Sequence, residues 1–339
     1  MPGESWQQAE RHTAVSGPIG SAQDNRKVLM TSIVAVSSHL PETVPLASLQ
    51  AQIGLSDVQL RRYERFYGLA DVCRDEGATE TDLLRRAVGK LAELPGQEHR
   101  VRYVLQARTM PSPLPYPLTS LGPLRQELGL EHARSFVVSH HACASGLLAV
   151  DMAGMLLAAD GDPDALALVL AGEKACTHRT QSIQDVTVMG EGAVAMLVSG
   201  RDRGPDRMLG YASRMHPRFH SDFILAGEKA KDFQELYLPA LCEVIATALD
   251  EAGCSVDELS LVLAHNVNRL SWMGAAKALG IPMEKIFLDL VGEAGHCFCA
   301  DPFLNLQRAS EQGRLRPGDR YLMTSVGLGA TFSAMVFEH

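Results

Sequence analysis

The chain has 339 residues and a mass of 36.7 kDa, which allows two domains or one large duplicated unit. Hydrophobic residues make up 46% and charged residues 21%, which excludes a disordered, collagen-like or coiled-coil chain. The formal net charge of −9 gives no electrostatic footprint for nucleic acid. No uninterrupted run of 18 apolar residues and no secretory signal is visible, so the sequence predicts no contact with a membrane.

Apolar segments alternate with helical segments along most of the chain. Residues 1–27 are rich in Gly, Ser, Gln and charge, and are predicted to form a flexible leader. The strands predicted in residues 28–204 are 28–36, 101–108, 133–140 and 165–172. They are apolar throughout, as strands buried on both faces are, and helices separate them. The pattern predicts an α/β fold with a largely parallel sheet.

Residues 205–339 show the same alternation of apolar strands and helices. The predicted strands are 207–215, 259–266, 319–327 and 330–338. The predicted helices, which end near Gly or begin with Asp-Pro, are 232–253, 268–280 and 301–313. The similar content of the two parts predicts an N-terminal half over 28–204 and a C-terminal half over 205–339, related by internal duplication.

The seven cysteines are scattered and odd in number, which predicts reduced thiols and a cytoplasmic location. Cys143 differs from the others because an apolar strand leads into it and a long helix with small residues follows. A cysteine at a helix N-terminus meets free N–H groups and the positive end of the helix dipole, which favour the nucleophilic thiolate. The same N–H groups can hold an oxyanion. A buried structural cysteine is the alternative.

Two histidines lie where partners for such a thiolate are expected. His265 ends a predicted strand, and His296 lies in a loop just before a helix. Ligands of α/β folds gather at such ends, and a thiolate nucleophile needs a base or cation nearby. A single histidine is most often structural, but two at similar positions, together with Cys143, favour a catalytic site.

Five segments carry a more specific resemblance. They are SIVAVSSHLPETV, HHACASGLLAVDMA around Cys143, MGEGAVAMLVS at 189–199, HNVN at 265–268 and GLGATFSAMVF at 327–337. Together they make the chain, from about residue 28 to 337, similar to β-ketoacyl-acyl-carrier-protein synthase III of the thiolase superfamily. The resemblance implies a duplicated, five-layered αβαβα fold and a homodimer.

The resemblance also implies roles. Cys143 would take an acyl group from a phosphopantetheine-linked thioester, on an acyl-carrier protein or on coenzyme A. His265 would assist at the substrate carbonyl, and the backbone N–H groups of Cys143 and Gly329 would form an oxyanion hole. No permanently bound cofactor and no metal are expected; the partners would be an acyl-carrier protein and a small acyl acceptor.

The third catalytic residue differs from that of the family. The family has an asparagine where this chain has His296. A Cys-His-His set resembles the elongating synthases, so decarboxylative condensation with a malonyl-type thioester stays open. His296 could equally act as a general base for acyl transfer to oxygen, nitrogen or sulfur. A catalytically silent partner subunit is the remaining alternative, and the presence of Cys143 argues against it.

The expected entrance for the donor also differs from the family. Arg62 and Phe66 stand before Gly68 in a changed order, and Arg269 directly follows Asn268. This change favours a carrier protein over coenzyme A as donor. Substrate contacts are predicted for Asn268, Arg269, Phe298 and Met189. Cys297 and Cys299 lack zinc-site spacing and are interpreted as packing residues.

Overall fold

The structure is a computed structural model that describes residues 30–112, 114, 115, 117–177, 180–220 and 225–339. The predicted leader, residues 1–27, lies outside the described residues. The strands are β1 (Ser32–His39), β2 (Thr43–Pro45), β3 (Asp71–Cys73), β4 (Val101–Ala107), β5 (Arg134–Val138), β6 (Leu166–Glu173), β7 (Ser182–Ile183), β8 (Thr187–Val188), β9 (Gly192–Ser199), β10 (Asp206–Met215), β11 (Leu259–Ala264), β12 (Ile286–Phe287), β13 (Arg320–Gly327) and β14 (Thr331–Glu338). The α-helices are α1 (Leu46–Ile53), α2 (Asp57–Arg62), α3 (Glu80–Val88), α4 (Leu121–Glu127), α5 (Ser145–Asp160), α6 (Gly227–Ala252), α7 (Arg269–Leu279) and α8 (Asp301–Glu311).

Ten strands form one hydrogen-bonded array that consists of two five-stranded halves. Outward from the junction, one half runs β1-β9-β6-β4-β5 and the other β10-β14-β13-β11-β12. The halves meet through only two residue pairs between β1 and β10. When the strands of each half are numbered in chain order, both halves read 1-5-4-2-3. This shared order is the mark of a duplicated unit.

The prediction of a largely parallel sheet is wrong for the middle of the array. The outer three strands of each half are parallel, but the pairs from β6 through β9, β1, β10 and β14 to β13 are antiparallel. Parallel neighbours need a long crossover, whereas β14 follows β13 after a short turn and so must run back beside it.

Three hydrophobic cores separate five layers. Helices α5 and α8 lie between the two halves of the sheet and share the central core with both. Helices α3 and α4 cover the outer face of the first half, and α6 and α7 cover the outer face of the second. The duplicated αβαβα architecture is therefore confirmed. The boundary predicted between residues 204 and 205 falls in the β9–β10 loop and stays a prediction.

The central position of α5 explains its composition. Residues Ala142–Asp160 are long and apolar enough, by composition alone, to cross a membrane, which the search for uninterrupted apolar runs did not detect. In the fold, Leu147, Val150 and Leu157 of this helix are packed in the central core. A helix sandwiched between two sheets is apolar on nearly every side.

Candidate active site

The duplicated topology brings Cys143 and His296 together. Cys143 lies between the third strand of the first half, β5, and helix α5. His296 lies between the third strand of the second half, β12, and helix α8. Because α5 and α8 share the central layer, the two loops meet there. The Sγ atom of Cys143 is 3.2 Å from Nε2 of His296, and both residues are buried.

The turn that carries Cys143 is held from the second half of the fold. Ala142 adopts a left-handed conformation with φ +47°, which is uncommon for a residue with a Cβ. The hydroxyl of Ser325 donates a hydrogen bond to the carbonyl of Cys143 at 2.8 Å. At Gly327 a Cβ would lie 2.0 Å from the carbonyl oxygen of His141, so glycine lets β13 approach the turn. The nucleophile is therefore fixed by contacts with β13.

Asp301 completes a chain of three side chains. Its Oδ2 atom is 2.5 Å from Nδ1 of His296, and its Oδ1 atom accepts the backbone N–H of Cys297 at 2.7 Å. The backbone N–H of Asn266 also donates to Oδ2, at 2.5 Å. Asp301 is the first residue of α8, where the helix dipole favours a carboxylate. The sequence pattern indicated a helix start at Asp301 but gave no sign of this contact.

The electrostatics of His296 favour its protonated form. Burial alone would lower the pKa of the imidazole, but the carboxylate of Asp301 and the sulfur of Cys143 together raise it to about 10. Nε2 of His296 can therefore hold a proton beside Sγ, with Nδ1 held by Asp301.

His265 has the opposite environment. Burial and the nearby His296 lower the pKa of its imidazole to about 3, so it stays neutral at physiological pH. Its Nε2 lies 3.3 Å from the hydroxyl of Tyr237, and its backbone carbonyl accepts from Nε1 of Trp272 at 2.9 Å. The ring centroids of the two histidines are 6.2 Å apart. Tyr237, on α6, escaped sequence analysis because its position reads as part of an ordinary apolar helix face.

A small pocket opens beside Cys143. Its other lining residues are Thr109, Met110, Thr180, Ser182, Ile183, Met189, Phe298 and Leu328. Two of the predicted substrate contacts, Met189 and Phe298, therefore lie on its wall. Phe298 has a left-handed backbone with φ +56°, and its ring centroid is 6.5 Å from that of His296.

The other two predicted substrate contacts lie outside this pocket. The Asn268 amide caps α7 by accepting the N–H of Ser271 at 2.8 Å, and donates to the carbonyl of Val186 at 3.1 Å. Arg269 is exposed, and its side chain lies against Gly68, where a Cβ would be 2.8 Å from Cδ. Asn268 therefore has a structural use, and Arg269 lies at the surface next to the segment that contains Arg62 and Phe66.

Gly329 lies in the turn between β13 and β14. Its φ is +114°, and a Cβ there would come within 2.9 Å of the His220 ring, so both conformation and space require glycine. The preceding residue, Leu328, lines the pocket with Cys143. The contribution of Gly329 to an oxyanion hole stays a prediction.

Cys297 and Cys299 are buried in the central core. Burial raises the pKa of both thiols well above the usual range, so they stay protonated. Among the described residues, no three His, Cys, Asp or Glu side chains are grouped as metal ligands would be.

Sequence comparison places the chain near one group of synthases. Residues 249–339 match the family model of the 3-oxoacyl-[acyl-carrier-protein] synthase III C-terminal region. The β-ketoacyl-[acyl-carrier-protein] synthase III of Thermosynechococcus vestitus is 31% identical over 44% of this chain, and the match spans about half of that relative, 52%. The same synthase of Ruegeria sp. is 24% identical over 90% of this chain and 98% of its own length.

Solved structures share the fold. The acyltransferase ChlB3 superposes with a TM-score of 0.79 at 22% identity, over 91% of this chain and 97% of its own. The 3-oxoacyl-[acyl-carrier-protein] synthase III of Aquifex aeolicus superposes with a TM-score of 0.77 at 20% identity, over 91% of this chain and 100% of its own.

Proposed function

Because this chain is a β-ketoacyl-[acyl-carrier-protein] synthase III-like protein of the thiolase superfamily, we propose that it is an acyltransferase that carries an acyl group on Cys143. The acceptor of that group is an oxygen, nitrogen or sulfur nucleophile. The observation that carries the proposal is the continuous chain of contacts from Cys143 through His296 to Asp301.

In the first half-reaction, the proton of the Cys143–His296 pair already lies on Nε2 of His296, because the pKa of that imidazole is raised. The sulfur attacks the carbonyl carbon of the donor thioester, and the bond between that carbon and the pantetheine sulfur breaks. The departing thiolate takes that proton from His296, which leaves the imidazole neutral for the next step. Asp301 fixes the orientation of the ring and stabilises its charged form, as a carboxylate does in a nucleophile-base-acid triad. The product is an acyl thioester on Cys143.

In the second half-reaction, Nε2 of His296 takes a proton from the acceptor. The acceptor atom attacks the acyl carbon, the carbon–sulfur bond to Cys143 breaks, and the proton stays on Nε2 of His296 beside the released sulfur, which restores the starting pair. The same imidazole thus serves both steps, and no carbon dioxide is formed.

The two histidines favour this chemistry over decarboxylative condensation. In a condensation, both imidazoles would bind the developing enolate. Here Nε2 of His265 is within hydrogen-bonding distance of the Tyr237 hydroxyl, and only His296 has a carboxylate partner. A carboxylate at Nδ1 stabilises the imidazole when Nε2 has taken up a proton, as a general base must. An imidazole that only donates a hydrogen bond does not need this carboxylate.

The donor and the assembly are part of the proposal. The exposed Arg269 lies against Gly68, and the exposed Arg62, which pairs with Asp185 at 3.4 Å, belongs to the same segment as Gly68. An acidic acyl-carrier protein could deliver its phosphopantetheine arm there. Strand β5 is the outermost strand of its half and exposes Val137, which fits pairing with a second copy in a homodimer. A free nucleophilic thiol fits a cytoplasmic location.

The test uses the full chain with acyl-N-acetylcysteamine, acyl-coenzyme A and acyl-carrier-protein donors. Intact-protein mass after mixing reports the adduct, and a digest locates it. We expect an adduct on Cys143, fastest from the carrier protein, which an alcohol, amine or thiol then discharges without release of carbon dioxide. Cys176→Ala, which removes an exposed cysteine, is the control for non-specific acylation.

Two results would contradict the proposal. Carbon dioxide release from a malonyl thioester, with a carbon–carbon bonded product, would assign the chain to condensation. A folded protein that takes up no acyl group from any donor would favour the silent-subunit alternative.

A further inference from the structure

The wall of the Cys143 pocket contains a feature that acyl transfer in general does not require. Three of the lining residues carry hydroxyl groups: Thr109, Thr180 and Ser182. The rest of the lining, apart from Cys143, is apolar. A pocket built for a plain alkyl chain has no use for hydroxyl groups, because each must find a hydrogen-bond partner when water leaves.

Of these hydroxyl groups, that of Thr109 is buried without a hydrogen-bond partner among the described residues. Leaving such a group unpaired is unfavourable, so unpaired buried hydroxyls are uncommon in native proteins. Thr180 differs, because its hydroxyl donates to the carbonyl of Thr177 at 2.9 Å.

The backbone that presents Thr109 is held firmly. The carboxylate of Glu173 accepts the N–H groups of both Thr109 and Met110, the latter at 2.9 Å. Glu173 is 1% exposed, and the guanidinium of Arg108 lies beside it at 3.8 Å. The backbone that carries Thr109 is therefore pre-organised before any ligand enters.

Part of the pocket lining belongs to a buried apolar cluster. Met189 and Phe298 form this cluster with Ala175, and Met110 and Ile183 pack against it. A small pocket walled by closely packed side chains suits a short acyl group.

We propose that Thr109 is a specificity residue that selects short acyl groups bearing a hydroxyl or keto oxygen. The proposal rests on the proposed function, since it assumes that the acyl group on Cys143 enters this pocket. The Thr109 hydroxyl would then bond to the oxygen of the bound group. An alkyl group of the same size would leave that hydroxyl unpaired.

The test compares thioesters of equal size on the full-length chain. The pairs are 3-hydroxypropionyl with butyryl and lactyl with isobutyryl, each as an N-acetylcysteamine thioester. The rate of adduct formation on Cys143 is measured by intact-protein mass, with each pair in competition. We expect the wild type to favour an oxygenated member at least tenfold, Thr109→Val to lose that preference, and Thr109→Ser to keep it.

Thr31→Val is the matched control, because Thr31 is another buried threonine, which packs beside Gly154 and does not line the pocket. It should leave the preference unchanged. Equal rates for both members of each pair in the wild type, or a preference that survives Thr109→Val, would overturn this inference while leaving the proposed function intact. If the chain takes up none of the four acyl groups, either from N-acetylcysteamine or from the carrier protein, both the proposed function and this inference are contradicted.

Discussion

His265 and His296 are equally buried, but their side chains have different hydrogen-bond partners. Each is 1% exposed, and their rings are neighbours in one site. Yet the pKa of His296 is raised to about 10, and that of His265 is lowered to about 3. His296 has the carboxylate of Asp301 at one nitrogen and a thiol at the other, whereas His265 has a phenol. Because the burial of the two rings is the same, the partner decides which imidazole carries the proton.

The largest effect on acyl transfer is expected when Cys143 is replaced. This nucleophile contacts His296. Cys143→Ala should lower acyl transfer by at least about 10⁴-fold, as loss of a nucleophile does in comparable enzymes. Intact-protein mass should show no adduct, and circular dichroism should show an unchanged fold. An adduct that persists in this variant would place the nucleophile elsewhere.

The next largest effect should come from His296→Asn. Removing the imidazole that holds the proton should slow formation of the Cys143 adduct by about 10³-fold, within the range that general acid–base catalysis supplies. Single-turnover kinetics with an acyl-N-acetylcysteamine donor measures this. A variant that keeps wild-type rates would show that the second imidazole is dispensable.

Asp301→Asn should slow formation of the Cys143 adduct by about 10²-fold. This is less than for His296→Asn, because the imidazole remains. It should also move the pH profile, since the pKa of His296 falls when the carboxylate is removed. The matched control is Asp206→Asn, because Asp206 is another buried carboxylate paired with a histidine, at 2.7 Å from His339. Equal losses in both variants would point to general destabilisation and not to a role through His296.

His265→Asn should change adduct formation by less than about tenfold, which corresponds to the net free energy of a single hydrogen bond. Tyr237→Phe should behave in the same way, because it removes the hydroxyl that contacts His265. If either variant instead loses as much as His296→Asn, the contrast between the two histidines fails.

The smallest effects concern stability, and their signs are opposite. The stability that protonated His296 contributes is fully present below pH 6.5 and is lost as pH rises through about 10. The stability tied to neutral His265 is present above pH 6.5 and is lost as pH falls towards 3. Urea unfolding at several pH values should therefore show the deficit of Asp301→Asn shrinking as pH rises. His265→Asn should weaken the acid sensitivity. Deficits independent of pH would contradict these assignments.

Much of the fold and part of the site could be predicted from the sequence. Apolar strands and helix-ending glycines located most elements, and Cys143, His265 and His296 stood out at element ends. Strand direction in the middle of the array was predicted wrongly, because the apolar pattern of a buried strand is the same whichever way its neighbour runs.

Three residues of the site gave no usable signal in the sequence. In the sequence, Asp301 has the features of a residue that begins a helix. Its contact with His296 depends on the folded conformation of the loop before that helix. Tyr237 lies 28 residues from His265 in the chain, on the apolar side of a long helix. Thr109 follows β4 like any loop threonine, and its unpaired hydroxyl is a property of the packed structure.

The most direct test of the account is the protonation state of the two histidines. Nitrogen-15 spectra of histidine-labelled protein, recorded from pH 4 to pH 10 and assigned with His265→Asn and His296→Asn, report it for each ring. We expect His296 to be protonated on both nitrogens at pH 8 and to become neutral at that pH in Asp301→Asn, while His265 stays neutral down to pH 4. A neutral His296 at pH 8, or a protonated His265, would contradict this expectation.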